Sequence, residues 1–188
     1  MIARHQQCFF LFLLLAFAVE AQAVEPPPEI GVPLIFQDVD GNRLSTGDGH
    51  ITIITVVTRS NEKEAKTVAA QVPDRYLGDT KYRYVTLVNF QRKLAGPFRA
   101  LTRSIIRRRL DAEASELKPK YAAKQITRDP RLDLFVIADF DGGAVSQLGL
   151  SPDSKEVVVF VLNGEGKLVE RWTGVPPENA LSKAIDRA

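Results

Sequence analysis

An unbroken apolar run from Cys8 to Val19 opens the chain, and nothing downstream repeats it. From Leu34 onward the apolar positions come in short blocks, each with its own rhythm. Leu34 to Ser45 (LIFQDVDGNRLS) reads as two short strands about an Asp40-Gly41-Asn42 turn. His50 to Thr58 (HITIITVVT) is mostly β-branched and predicts a strand buried on both faces. Glu62 to Gln71 suits a helix, with Ser60 or Asn61 placed to cap it and Glu62 and Glu64 complementing its dipole. Tyr82 to Phe90 is the next strand. The longest helical pattern follows from Phe98 to Leu117, with a weaker continuation from Pro119 to Ile126. Arg131 to Asp139 predicts a strand, Asp141-Gly142-Gly143 a turn, and Ala144 to Leu150 one or two helical turns. Glu156 to Asn163 predicts a fully buried strand, paired across Gly164-Glu165-Gly166 with Lys167 to Gly174. Glu178 to Arg187 closes the chain as a helix.

This order implies an α/β protein: a mixed sheet flanked by helices on both faces, with an N-terminal hairpin and a long basic helical insertion over about 95–130. Inside that insertion the apolar rhythm drifts. Phe98, Leu101 and Ile105 share one line, while Ile106, Leu110, Ala114 and Leu117 fall on a face rotated by a quarter turn or more. The drift predicts a helix that packs on the sheet in one part and leans elsewhere in another.

Composition changes the picture mainly at the N-terminus. Arg4 and His5, the apolar run and Ala21-Gln22-Ala23 form the pattern of a signal peptide over 1–23, cut after Ala23. The run is shorter than the roughly 18 residues a spanning helix wants; an uncleaved anchor is the alternative. Residues 24–33 read as a proline-rich linker and 34–188 as one domain, in the periplasm or secreted. Cleavage removes the only cysteine (Cys8), the only methionine (Met1) and one of two histidines (His5), leaving His50. Disulfide, thiolate and Cys/Met copper chemistry are thereby excluded from the mature chain.

The element order and three segments resemble the thioredoxin-like superfamily, in its peroxiredoxin and thiol-reductase branch. FQDVDGNRLS looks like the opening hairpin of those proteins, and ITIITVVTRSNEKEA like the strand and helix start that carry their thiol. VVVFVLNGEGKLVERWTG looks like their closing hairpin. TRSNEKEA, TLVNF, FVIADFDGGAVSQLGL and VVVFVLNGEGKLVERW are similar to the periplasmic YtfJ-type family, in which the reactive thiols are also missing. By position Asn61 and Glu64 fall where the two thiols of an active member sit. The cis-proline of active members falls at Glu156 or Val157, with Pro152 upstream. The resemblance therefore implies the scaffold without its chemistry.

Other chemistry is thinly supported. Thr58, Arg59, Ser60, Asn61 and Glu62 form a candidate binding edge, because a helix N-terminus favours an anion. Ser60 and His50 are about 26 Å apart along an extended strand, too far for a serine–histidine pair. Asp38, Asp40 and Asn42, like Asp139 and Asp141, lack the spacing of a calcium loop and read as turn residues. Trp172 is expected to cover the sheet edge. Arg92 to Arg128 holds eleven basic and three acidic residues, a net +8 that leaves about −6 for the rest of the +2 chain. Arg103, Arg107, Arg108 and Arg109 mark its basic surface. The expectation is a non-catalytic binding protein of the cell envelope, needing no cofactor or metal. Its partner would be an envelope protein or small anionic ligand, and nucleic acid is not expected. The alternatives are a cysteine-independent enzyme or redox-related activity at the turn, and a structural contact with anionic envelope surfaces through the insertion.

Overall fold

The structure is a computed structural model that describes residues 33–91 and 96–188. The predicted signal peptide and nearly all of the linker lie outside the described residues. The β-branched segment forms β3 (Ile51–Val57), the centre of a five-stranded sheet. β4 (Tyr82–Asn89) and β5 (Leu134–Asp139) continue it in parallel on one side, and β6 (Val158–Leu162) and β7 (Leu168–Thr173) extend it antiparallel on the other. The order is β5-β4-β3-β6-β7. A separate hairpin, β1 (Ile35–Gln37) and β2 (Arg43–Ser45), turns at Asp40 and Gly41 as expected.

Alternation along β3 and β6 divides the core. Ile51 and Ile53, with Val157, Val159 and Val161, face one side, where α1 (Glu62–Ala70) contributes Val68 and α4 (Ala180–Arg187) contributes Leu181, Ala184 and Ile185. Ile54, Val56, Val158, Phe160 and Leu162 face the other, beneath Phe36 and Leu44 of the hairpin and Val145 of α3 (Gly143–Gln147). The two-faced burial follows from a side-chain period of 2 in strands that are covered on both sides.

The insertion is one helix, α2, from Gly96 to Ala123. The weaker continuation expected from Pro119 to Ile126 holds as far as Ala123. Pro119 sits inside the helix, where its ring removes one backbone N–H. The helix continues because Tyr121, two residues on, is buried and its hydroxyl donates to Asp133 at 2.7 Å. Leu110 and Ala114 are also buried, with Leu110 packed on Val136 of β5 and Val39 of the hairpin turn. The Val39 N–H donates to the Val136 carbonyl at 2.9 Å, covering the outer edge of β5 that would otherwise stay open.

Candidate functional site

The carboxyl ends of the parallel strands β3, β4 and β5 meet at one edge, the place where open α/β sheets bind ligands. Here that edge is filled by the protein's own backbone. Asn61 Nδ2 donates to the Lys155 carbonyl at 3.2 Å, Asn89 Nδ2 to Pro152 at 2.8 Å and Gln91 Nε2 to Ser154 at 2.8 Å. Three carboxamides thus hold one short loop, the segment leading into β6. Gln91 adopts φ 54°, a left-handed conformation, and its N–H donates to Asn89 Oδ1 at 2.9 Å. Pro152 lies against Gly142 (φ 81°), where a Cβ would meet its ring at 2.7 Å. Among the described residues no peptide bond is cis.

The Thr58–Glu62 turn is divided. Thr58 and Asn61 are each only 2% exposed, whereas Arg59, Ser60 and Glu62 face solvent. The expected cap on α1 is corrected. Asn61 occupies the cap position, but neither it nor Ser60 caps the helix through its side chain. Asn61 Oδ1 instead accepts the Thr58 N–H at 2.8 Å, and the Ser60 and Thr58 hydroxyls pair at 2.9 Å. A buried backbone N–H without a partner is costly, so the carboxamide satisfies Thr58 and the Lys155 carbonyl together. Glu62 pairs with Lys66 at 3.2 Å. Glu64, at the second thiol position, is exposed.

The basic surface is divided as well. Arg103 lies over the Phe140 ring at 5.3 Å and Arg99 at 5.6 Å, while Phe90 stacks on Phe140 at 4.9 Å. Arg107 pairs with Asp40 at 3.2 Å and also donates to the Val39 carbonyl. Asp40 further receives Arg131 at 2.5 Å, so one turn carboxylate ties α2 and the approach to β5 together. Arg108 and Arg109 are exposed and form no ion pair among the described residues. Phe98, Leu101 and Ile105 are 62%, 59% and 45% exposed. The drift in apolar rhythm therefore separates a packed face from a bare one. At 3.6 residues per turn the bare line points roughly 150° away from Leu110 and Ala114.

His50 is nowhere near Ser60. It stands at the opposite end of β3, with Nδ1 2.8 Å from Asp48 and 2.9 Å from the Arg83 guanidinium. Arg83 is 7% exposed, donates to Asp48 at 2.8 and 3.2 Å and to the Ser45 carbonyl at 2.9 Å, and so fastens the hairpin to β4. Partial burial pushes the Asp48 carboxyl up, but hydrogen bonds and charge from Arg83 and His50 more than offset it and hold it below the usual range. Sequence reasoning missed this cluster. The available signal was Arg83 itself, a cation in phase with the inward-facing Val85 and Leu87 of the same strand. Asn89 and Gln91 were missed too; Asn89 carries the same signal, a polar side chain in phase with Val85 and Leu87, whereas no local pattern marks Gln91.

The aspartates expected to serve turns do so. Asp38 accepts the N–H groups of Asp40 and Asn42 at 2.9 and 2.7 Å, and Asp139 those of Gly142 and Val145 at 2.9 Å. Trp172 is half-buried on β7 against the α4 side of the sheet. Beside it Glu170, Ala180, Lys183, Asp186 and Arg187 line an open depression of about 500 Å³.

No family model matches the chain, and no curated protein matches it. Solved structures do. The exposed lipoprotein thioredoxin Etrx1 of Streptococcus pneumoniae strain TIGR4 is 15% identical, with a TM-score of 0.50 over 84% of this chain and 100% of that one. StoA of Bacillus subtilis is 14% identical (TM-score 0.46, 84% and 98% covered), and dsbF of MTB, solved in mixed oxidised and reduced forms, is 10% identical (TM-score 0.49, 84% and 96% covered). The chain has the thioredoxin-like fold, and its described residues hold carboxamides and carboxylates but no cysteine.

Proposed function

We propose that this is an exported, non-catalytic binding protein of the cell envelope, of the YtfJ type, that makes its contact through the first half of α2. The observation that carries this reading is the exposed line Phe98, Leu101, Ile105 beside Arg108 and Arg109. Large apolar side chains in a contiguous exposed line mark a surface that meets something. The turn supports contact less well, because its buried polar groups are already engaged with the protein's own loop. Export is supported by the N-terminal pattern, and Etrx1 is itself an exposed lipoprotein. Among the described residues no helix is long and apolar enough to cross a membrane.

Photoreactive residues placed separately at Leu101 and Ser60 test the reading in intact cells. Adducts are expected from position 101, lost in Arg108→Glu/Arg109→Glu, and none from position 60. Adducts from Ser60 alone would move the contact to the turn and overturn the assignment to α2. The processed protein is also expected to reduce insulin disulfide and peroxide no faster than the blank.

A further inference from the structure

Gly96 to Leu110 carries five arginines and no acidic residue, and Asp111, Glu113 and Glu116 then end the basic stretch. Three of the arginines are turned inward. Arg99 and Arg103 lie over Phe140, and Arg107 pairs with Asp40. They fix the helix to the body of the protein. The other two, Arg108 and Arg109, fall roughly 50° to either side of the Phe98–Leu101–Ile105 line. The result is a convex ridge about three turns long, apolar along its crest and cationic on both shoulders at its C-terminal end.

We propose that this ridge seats the protein on an anionic lipid surface. Phe98, Leu101 and Ile105 enter the boundary between headgroups and acyl chains, and Arg108 and Arg109 meet the phosphates. The assignment rests on reading α2 as the contact face. A helix with an apolar crest and basic flanks is the pattern of interfacial binding, in which buried apolar area and attraction to anionic lipid add. Charge complementarity selects this occupant. A second copy would bring the same five-arginine stretch against this one, with no acidic residue between Gly96 and Leu110 to answer it. A protein partner of ordinary affinity covers about 800 Å² on each side, far more than three side chains on one convex line present. A lipid surface needs neither a groove nor a large footprint.

Partition of the processed chain into vesicles tests the proposal, with phosphatidylglycerol–phosphatidylcholine vesicles compared against phosphatidylcholine alone. In a Phe98→Trp/Trp172→Phe protein the single indole reports the crest directly. Its emission is expected to shift to the blue and to be quenched by brominated acyl chains only when phosphatidylglycerol is present. Sedimentation of the unmodified chain gives the same comparison without substitution. Arg108→Glu/Arg109→Glu and Leu101→Asp/Ile105→Asp are each expected to weaken partition about tenfold or more with unchanged circular dichroism, as is raising salt from roughly 50 to roughly 500 mM. Equal binding to both vesicle types, binding to neither, or a Leu101→Asp/Ile105→Asp protein that partitions normally would overturn the proposal. Protein adducts from position 101 without vesicle partition would overturn the lipid assignment and leave α2 as the contact face. Absence of both adducts and partition would remove both readings.

Discussion

The Thr58–Glu62 turn and the first half of α2 were both candidates in the sequence, and the fold treats them oppositely. At the turn, polar groups have been taken inward: Asn61 answers both the Thr58 N–H and the Lys155 carbonyl, while Asn89 and Gln91 hold the same loop. On α2, apolar groups have been left outside, and two arginines stand beside them without carboxylate partners among the described residues. A group already satisfied within the fold has little free energy left for a ligand. One left unsatisfied at the surface has most of it still available. Proximity to the ligand-binding edge of a sheet is therefore a weaker guide here than the accounting of partners.

Five substitutions test the contrast, from the largest effect down. Leu110→Ala, on the packed face of α2, is expected to cost about 3 kcal/mol and lower the melting temperature by roughly 6–12 °C in calorimetry. Asn61→Ala should cost about 2 kcal/mol in urea unfolding, because a buried N–H and a carbonyl lose their partner at once. A cost below about 0.5 kcal/mol would show that the turn is not held as described and would break the comparison.

Asp48→Asn gives a smaller and pH-dependent effect, since the carboxylate is partly exposed. Its folded pKa is depressed, so the stability it contributes is present above its unfolded pKa, about 3.9, and is lost as pH falls through the folded value. The native protein should therefore lose stability below about pH 4 along a steeper acid limb than Asp48→Asn shows in urea titrations. Leu101→Ala and Ile105→Ala should change stability by no more than about 0.5 kcal/mol, because both side chains already face water. A loss comparable with Leu110→Ala would mean that the bare line is packed after all.

Much of the fold was legible locally. The β-branched run of β3 announced burial on both faces, and the mixed sheet followed from strands alternating with helices and a closing hairpin. The drift within α2 was legible too, since helical phase depends only on spacing. The continuation of α2 past Pro119 was legible only as a weaker pattern, because it depends on Tyr121 meeting Asp133 beyond the helix end. At the candidate site, five turn residues looked alike in sequence, and nothing local distinguished the buried Asn61 from the exposed Arg59 and Ser60.

Spacing and composition alone determined the element order, the absence of any cysteine after Cys8, the concentration of positive charge in 92–128 and the two phases of α2. Only the tertiary structure decided which arginines are used and which are offered, that Asn61 turns inward, and that His50 joins Asp48 and Arg83 instead of any serine. The division has a physical cause. Periodicity and charge are properties of neighbours along the chain. Hydrogen-bond partners such as Asn61 and Lys155, or Arg83 and Ser45, are separated by 94 and 38 residues and become neighbours only when the sheet forms.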